Sequence, residues 1–428
     1  MQVEFLNCFN QYDIRGIVGK ELTTKAAYQL GRLFALKSVV IAKDSRSSSN
    51  DLLIAFSKGL LDSGCIVFEL EGVSSSPLLY FASFYLETAG AVMITGSHNP
   101  LEYNGFKFMK DGKPFYGEAL KQIINNLVID AVGSHQIIDL RAKYLQTLLK
   151  NIQITRKFKI AWECNNSGIA PLLECLSLLG EHLLLNISTD GNFAHTPPDP
   201  LLENNLDQIK QVITENKCDF GFAFDGDGDR LVLITSDGKA LTSDQLIYLI
   251  SLSIKNSEKR KVILDMKSSQ ILVEQLQKDG FEVIMVSGGH SIMKDKIVKE
   301  DAILAGEASG HLIINDSKYY PLDDALYIAL RLVEYLQNNP IIELQLAFIR
   351  REFKIPKSFD ILEKIKAYNN DVSILNGIRK IYSDGWWLIR ASNTENHILI
   401  KYEAMSQEAQ NKIIKELLEF INMPLSLM

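Results

Sequence analysis

CDFGFAFDGDGDRLVLIT, residues 218–235, sets an acidic loop between two short apolar runs. Cys218–Phe224 and Leu231–Thr235 read as strands, rich in aromatic and β-branched residues. Between them, Gly226 and Gly228 let the backbone curl so that Asp225, Asp227 and Asp229 converge. Carboxylates that close repel one another in a folded protein, and a divalent cation is the natural compensation. Ligation by oxygen alone, without Cys or His, favours a hard metal, Mg²⁺ first. A calcium-binding EF-hand loop would need Gly and Glu where this chain has Arg230 and Ser236, and helices where it has strand-like flanks. The plain alternative is a solvated acidic turn.

Outward from this loop, strand-like and helix-like segments alternate, which argues for an α/β architecture. A first set holds helix 23–37, strand 38–43, helix 50–62 and strands 65–70 and 89–95. A second holds strand 157–163, helix 169–179, strand 183–187 and helix 206–215. The third holds helix 243–254, strand 261–266, helix 270–278, strands 281–286 and 302–304, and amphipathic helix 323–337. The three share a βαβ rhythm without a residue-level repeat. Asn338-Asn339-Pro340 is a stop signal. Beyond it, strands 352–355, 386–390 and 398–402 with helices 360–368 and 406–420 read as a smaller α+β domain. The expected domains are 1–145, 146–240, 241–338 and 339–428.

The 428 residues are 46% hydrophobic and 23% charged, an ordinary globular composition. A net charge of −7, from 45 basic and 52 acidic residues, gives no global case for nucleic acid or an anionic membrane. An anionic substrate would need a local cluster of cations. Met1–Tyr12 lacks the pattern of a signal peptide, and no apolar run approaches a membrane span. Cys8, Cys65, Cys164, Cys175 and Cys218 are odd in number and lack CxxC spacing, which fits free thiols in a reducing cytoplasm.

Several further loops carry chemistry. Thr95-Gly96-Ser97-His98-Asn99-Pro100 follows an apolar strand, where ligands bind in such sheets, and it presents Ser97 at a sharp turn. The register does not match the G-x-S-x-G nucleophile elbow, and adjacency argues against a Ser97–His98 pair. Asn104-Gly105-Phe106-Lys107 brings a cation back toward this loop. In Gly306-Glu307-Ala308-Ser309-Gly310-His311, an extended backbone would put Glu307, Ser309 and His311 on one face, suited to a polyol. Lys267 and Gly288-Gly289-His290 also sit at strand ends. Arg390-Ala391-Ser392-Asn393-Thr394-Glu395-Asn396 offers a bidentate guanidinium with hydroxyl and amide donors, a phosphate grip or else a polar hairpin loop.

In order and spacing, Tyr12–Gly16, Thr95–Pro100, Asp225–Arg230, Gly306–His311 and Arg390–Asn396 resemble the α-D-phosphohexomutase superfamily over nearly the whole chain. The resemblance is closest to its bacterial phosphomannomutase/phosphoglucomutase branch. It implies four domains around a central cleft, three with a mixed α/β core and a last one resembling TATA-binding-protein-like folds. It implies phosphate moving between O1 and O6 of a hexose through phosphoserine and a hexose 1,6-bisphosphate. Ser97 matches the phosphate-carrying serine, and Asp225, Asp227 and Asp229 the Mg²⁺ ligands, with a phosphate oxygen on Ser97 completing the set. Arg15 and Lys107 match the basic residues near the transferring group, with Lys107 or His98 left to handle the proton. Tyr12, Arg230, Lys267, His290 and His311 match substrate-contacting positions, and Glu307 and Ser309 the sugar-hydroxyl readers. Arg390, Ser392, Asn393 and Thr394 match the holders of the phosphate that is not transferring.

The chain departs from the family at Asn396, where proline is usual. Ala308 and Thr95 stand where phosphoglucosamine mutases, the runner-up, typically carry Gln and often Ser. A haloacid-dehalogenase-type phosphatase would need Asp-x-Asp-x-Thr/Val near the N-terminus, whereas here the motif is mid-chain and its fifth position is Asp229. The expected partners are small hexose phosphates, with no nucleic acid, no membrane and no obligate protein partner implied.

Overall fold

A computed structural model describes residues 5–176, 180–347, 349–357, 359–367, 377–391 and 397–422. The first sheet contains β1 (Ile14–Ile17), β2 (Ser38–Lys43), β3 (Ile66–Leu70), β4 (Gly90–Ile94), β5 (Tyr103–Lys110), β6 (Lys113–Pro114) and β7 (Ser134–Ile138). Its order is β1-β5-β4-β2-β3-β7, with β6 paired to β5. The second holds β8 (Phe158–Glu163), β9 (Gly180–Leu185), β10 (Phe220–Phe224) and β11 (Leu231–Thr235), ordered β11-β10-β8-β9. In the third, β12 (Lys261–Asp265), β13 (Glu282–Val286), β14 (Leu304–Gly306) and β15 (Leu312–Ile314) run β13-β12-β14-β15.

These sheets repeat one topology. β5-β4-β2-β3, β11-β10-β8-β9 and β15-β14-β12-β13 are the same path: an antiparallel strand, then three parallel strands with the first of them between the other two. The repetition that the βαβ rhythm hinted at is therefore present in the backbone. It also explains the site. In each sheet one loop joins a parallel strand to its antiparallel partner: 95–102 after β4, 225–230 after β10 and 307–311 after β14. Each lies at the carboxyl end of a parallel strand, the place where open α/β sheets bind ligands.

β4 (GAVMI) and β10 (FGFAF) are buried at every position, as strands covered on both faces must be, so they read as unbroken apolar runs. One apolar core runs from helix Ser76–Tyr85 and helix Arg141–Leu149 through the second and third sheets, joining Phe81, Tyr144, Trp162, Leu249 and Tyr327. A second core covers the other face of the first sheet, with Phe56, Phe106 and Phe108. The C-terminal sheet of β16 (Ile349–Pro356), β17 (Gly377–Tyr382), β18 (Gly385–Ala391) and β19 (His397–Ala404) is antiparallel throughout, ordered β16-β19-β18-β17. Helices Phe359–Ala367 and Gln407–Ile421 accompany it, and Trp386 and Leu388 pack on Met266 of the third unit. The four-part α/β fold is as the sequence implies.

Several boundaries differ. The helix expected over 169–179 is described only as Ala170–Leu173, and residues 177–179 lie outside the described set. The strand expected at 302–304 is shifted to Leu304–Gly306, because pairing of Val262 with Leu304 and Leu264 with Gly306 sets its register. Among the described residues no helix is long and apolar enough to cross a membrane.

Candidate active site

Ser97 follows β4 with φ +49°, in the left-handed region that costs a non-glycine residue about 1–2 kcal/mol. Gly96 beside it has no alternative, since a Cβ there would meet Cζ of Arg46 at 2.2 Å. The left-handed turn swings the Ser97 Oγ to 3.4 Å from Nδ1 of His98, closer than adjacency predicts. Oγ also donates to Oδ2 of Asp225 at 3.1 Å, so the serine loop and the acidic loop meet directly.

Asp225, Asp227 and Asp229 converge as the glycines allow, with ligand oxygens within 4.8 Å of one another and all three side chains buried. Lys107 reaches them from β5, where alternation sends Phe106 and Phe108 into one core and Lys107 to the opposite face. Its Nζ lies 2.6 Å from Oδ2 of both Asp227 and Asp229. Burial pulls the Lys107 ammonium down, but the two carboxylates outweigh it and hold its pKa well above the ordinary value. Burial likewise lifts Asp227 and Asp229, yet Lys107 leaves both below the usual carboxylate range. Asp225 has only the more distant Arg230, with Nε at 3.8 Å, and burial, then Asp229 and Asp227, outweigh it and push Asp225 well above that range. Among the described residues, Oδ1 of Asp227 and Oδ1 of Asp229 are buried without a hydrogen-bond donor. Oxygen-only donors, an excess of negative charge and these unsatisfied atoms fit a hard divalent cation.

The third loop is a tight turn rather than the extended segment that alternation suggests. Gly310 has φ +93°, and its N–H donates to the Glu307 carbonyl at 2.9 Å. The turn still aims Glu307, Ser309 and His311 into the cleft. Nε of Arg230 donates to Nε2 of His311 at 3.0 Å. Guanidinium has no acceptor, so the His311 proton is on Nδ1, facing Oδ2 of Asp323 at 3.3 Å and Oδ1 of Asp229 at 3.6 Å. Asp323 is fully buried and also pairs with Nζ of Lys294 at 2.7 Å, itself 4.0 Å over the Tyr80 ring. Neither Asp323 nor Lys294 was expected from sequence.

A cleft of ≈ 660 Å³ collects most of the expected residues. The first unit gives it Tyr12, Arg15, Ser97, His98 and Lys107, and the second Arg230. The third gives His290, Glu307, Ser309 and His311, and the last Arg390. Tyr12 bridges units, its hydroxyl donating to the Gly288 carbonyl at 2.8 Å. Arg15 pairs with Asp13 at 2.7 Å. Arg390 is placed by a bond from Nη1 to the Ser287 carbonyl at 2.7 Å. The three aspartates lie beneath the cleft wall rather than on it. Lys267 is not among the lining residues; its Nζ stands 3.6 Å from Asp265. Ser392, Asn393, Thr394 and Asn396 lie outside the described residues. Arg15, Lys107, Arg230 and Arg390 supply the local cations that an anionic substrate needs on a chain of net charge −7.

Four profiles tile the chain: phosphoglucomutase/phosphomannomutase α/β/α domain I over residues 6–130, domain II over 142–238, domain III over 242–349 and the C-terminal domain over 349–420. The chain belongs to the phosphoglucomutase/phosphomannomutase family. It is therefore a phosphate-transferring mutase. A phosphomannomutase/phosphoglucomutase of Pseudomonas aeruginosa is 33% identical over 435 residues, covering 95% of this chain and 93% of that one. A phosphoglucomutase of Neisseria gonorrhoeae is 33% identical over 436 residues, with 95% and 94% covered. The crystal structure of a phosphoglucomutase/phosphomannomutase family protein from Burkholderia thailandensis superposes with TM-score 0.89 at 31% identity, covering 97% of each chain.

Burial, then the charges of Arg230, Arg15 and Lys107, hold the His98 pKa well below its ordinary value, so this mutase keeps His98 neutral. The sign of the linkage follows. The folded group refuses a proton that the unfolded one accepts below about pH 6.5, so its stabilising contribution is present above that pH and lost as pH falls. Relative to His98→Gln, the wild-type protein should lose about 1 kcal/mol of unfolding free energy between pH 7.5 and 5.5. Urea melts of the metal-free proteins measure this, and a difference independent of pH would show that His98 titrates normally.

Proposed function

We propose that this protein interconverts hexose 1-phosphate and hexose 6-phosphate, acting on mannose and glucose phosphates, through phosphoserine at Ser97 and a hexose 1,6-bisphosphate. The carrying observation is one cationic cleft that holds a single strained serine against three buried carboxylates, with a guanidinium from a separate domain across it. Mutase chemistry needs one reactive centre and one fixed phosphate grip. The names of the relatives support mannose and glucose phosphates over glucosamine phosphate. Domain borders near 145, 240 and 338 belong to the same reading, as each falls between the ends of successive sheets.

Asp225, Asp227 and Asp229, with an oxygen on Ser97, would hold Mg²⁺, which when bound offsets phosphate charge and polarises phosphorus. In the first half-reaction the bond from Ser97 Oγ to phosphorus breaks as a substrate hydroxyl oxygen bonds to that phosphorus. The proton this hydroxyl releases is taken by a base in the cleft and returned to Oγ, which ends as the free hydroxyl. The two candidates for proton handling separate on charge. Lys107 is held protonated by two carboxylates and cannot take a proton, while His98 is held neutral and can. His311 has its lone pair engaged by Arg230 and acts here as a positioned donor. Arg15 and Arg230 balance the transferring phosphate, and Glu307 and Ser309 read sugar hydroxyls. Arg390, with Ser392, Asn393 and Thr394, grips the phosphate that stays. The bisphosphate then turns over and returns its other phosphate to Ser97.

A coupled assay with mannose 1-phosphate, glucose 1-phosphate and glucosamine 1-phosphate, primed with hexose 1,6-bisphosphate, tests the reading. Turnover of the first two well above the third is the expected result, and preference for glucosamine 1-phosphate would overturn the sugar assignment. Arg390→Ala should raise KM for both monophosphates, lower kcat and increase release of bisphosphate, because remote binding energy orients the reacting end. Arg390→Lys should recover only part of this, lacking the bidentate fork. Unchanged kinetics and leakage in Arg390→Ala would reduce Arg390 to an ordinary hairpin residue.

A further inference from the structure

The turn that presents Ser97 is held from below by two side chains outside the cleft. β2 lies beside β4, pairing Lys43 with Ile94, so residues 44–46 leave the sheet next to residues 95–97. Asp44 and Arg46 are 1% and 3% exposed, and neither lines the cleft. Oδ2 of Asp44 accepts from Oγ1 of Thr95 at 2.7 Å and from the Gly96 N–H at 3.0 Å. Oγ1 of Thr95 in turn accepts from the Ser97 N–H at 2.7 Å. On the far side of the turn, Nη2 of Arg46 donates to the carbonyls of Ser97 at 2.8 Å and Asn99 at 2.6 Å. Its Nη1 donates to those of Pro100 at 2.7 Å and Tyr103 at 2.9 Å. Nε of Arg46 faces Oδ2 of Asp44 at 3.3 Å, and the Phe193 ring covers the guanidinium at 5.7 Å.

We infer that Arg46, locked by Asp44, is a positioning residue for Ser97: it gathers the carbonyls of residues 97, 99, 100 and 103 beneath the loop and so fixes where Oγ points. The inference rests on Ser97 being the phosphoryl carrier. Carbonyl oxygens turned toward one point repel, and only a planar cation with several donors satisfies all of them at once. The backbone of Ser97 is held at both ends, its N–H by Thr95 and its C=O by Arg46. Relaxing φ from +49° would break both bonds together. Arg46 thereby keeps the reactive oxygen in one place while the group on it changes from hydroxyl to phosphate and back. Asp44 and Arg46 do not themselves line the cleft and grip its serine loop only through backbone carbonyls, the Gly96 N–H and the Thr95 hydroxyl, so the clamp governs the rate of transfer rather than the binding of sugar.

Arg46→Lys and Thr95→Val, with Thr95→Ser as the conservative control, test this. In protein that is folded by circular dichroism, kcat should fall roughly 10²-fold, the scale of an ångström misplacement, with KM within about threefold. Phosphorylation of Ser97 by hexose 1,6-bisphosphate, followed by intact mass, should slow by the same factor. Amide exchange should quicken over residues 95–103 and not elsewhere. Thr95→Ser keeps the hydroxyl relay and should behave as wild type. A folded Arg46→Lys protein with normal kcat, or a raised KM with kcat intact, would overturn the inference, as would equal behaviour of Thr95→Val and Thr95→Ser. If Arg46→Lys does not fold, the Thr95 pair decides. Full activity in Ser97→Ala would remove the carrier reading itself, whereas an inactive Ser97→Ala beside a normal Arg46→Lys would remove only the clamp.

Discussion

Ser97→Ala should lower turnover by on the order of 10⁴-fold or more, the scale seen when a covalent-catalysis serine is deleted elsewhere. The loss should be far larger in kcat than in KM, because Ser97 is one oxygen in a cleft whose other groups remain to hold the sugar phosphate. Stability should fall modestly, by about 1 kcal/mol. Alanine at φ +49° keeps the same strain, and the substitution takes the hydroxyl donor away from Oδ2 of the buried Asp225. Intact mass and peptide mapping of active wild-type enzyme should place one phosphate on Ser97, and incubation of Ser97→Ala with hexose 1,6-bisphosphate should add none. A variant that remains fully active without an added phosphoryl carrier would falsify the assignment of Ser97.

The residues legible from sequence are those whose chemistry is concentrated in a short stretch. Asp225, Asp227 and Asp229 repel one another over five positions, so their purpose can be argued before any fold is known. Ser97 could be placed because an apolar strand runs straight into it. Arg46 could not. Among the serines of 45–49 it reads as an ordinary basic residue, and its role appears only when β2 and β4 are laid side by side. Asp323 was hidden differently, since Asp324 beside it has the recognisable task of capping helix Ala325–Leu336, and the pair reads as one cap. Lys107 was found by its closeness to the serine loop, but its carboxylate partners come from another sheet. The turn at 307–311 defeated strict alternation, because Gly310 closes the loop in a conformation that no two-residue period describes.

The three aspartates should respond differently to substitution in the metal-free protein. Asp225→Asn, Asp227→Asn and Asp229→Asn should each cut turnover severely and weaken its dependence on Mg²⁺, since each removes a charged oxygen from the site. In EDTA their stabilities should diverge. Asp225 has a folded pKa raised above the unfolded one, so its contribution favours the fold only at low pH and is lost as pH rises. Its replacement should therefore stabilise the metal-free protein at pH 7. Asp227 and Asp229 have folded pKa values held down by Lys107, so they contribute stability above the ordinary carboxylate range and lose it as pH falls. Either substitution leaves the fully buried Lys107 ammonium with one carboxylate instead of two, and should cost about 1–3 kcal/mol. Added Mg²⁺ should stabilise the wild type and have a much smaller effect on all three variants. Thermal melts with and without Mg²⁺ read both effects. If all three substitutions shift the metal-free melting temperature in the same direction, Lys107 is not the internal counter-ion of this cluster.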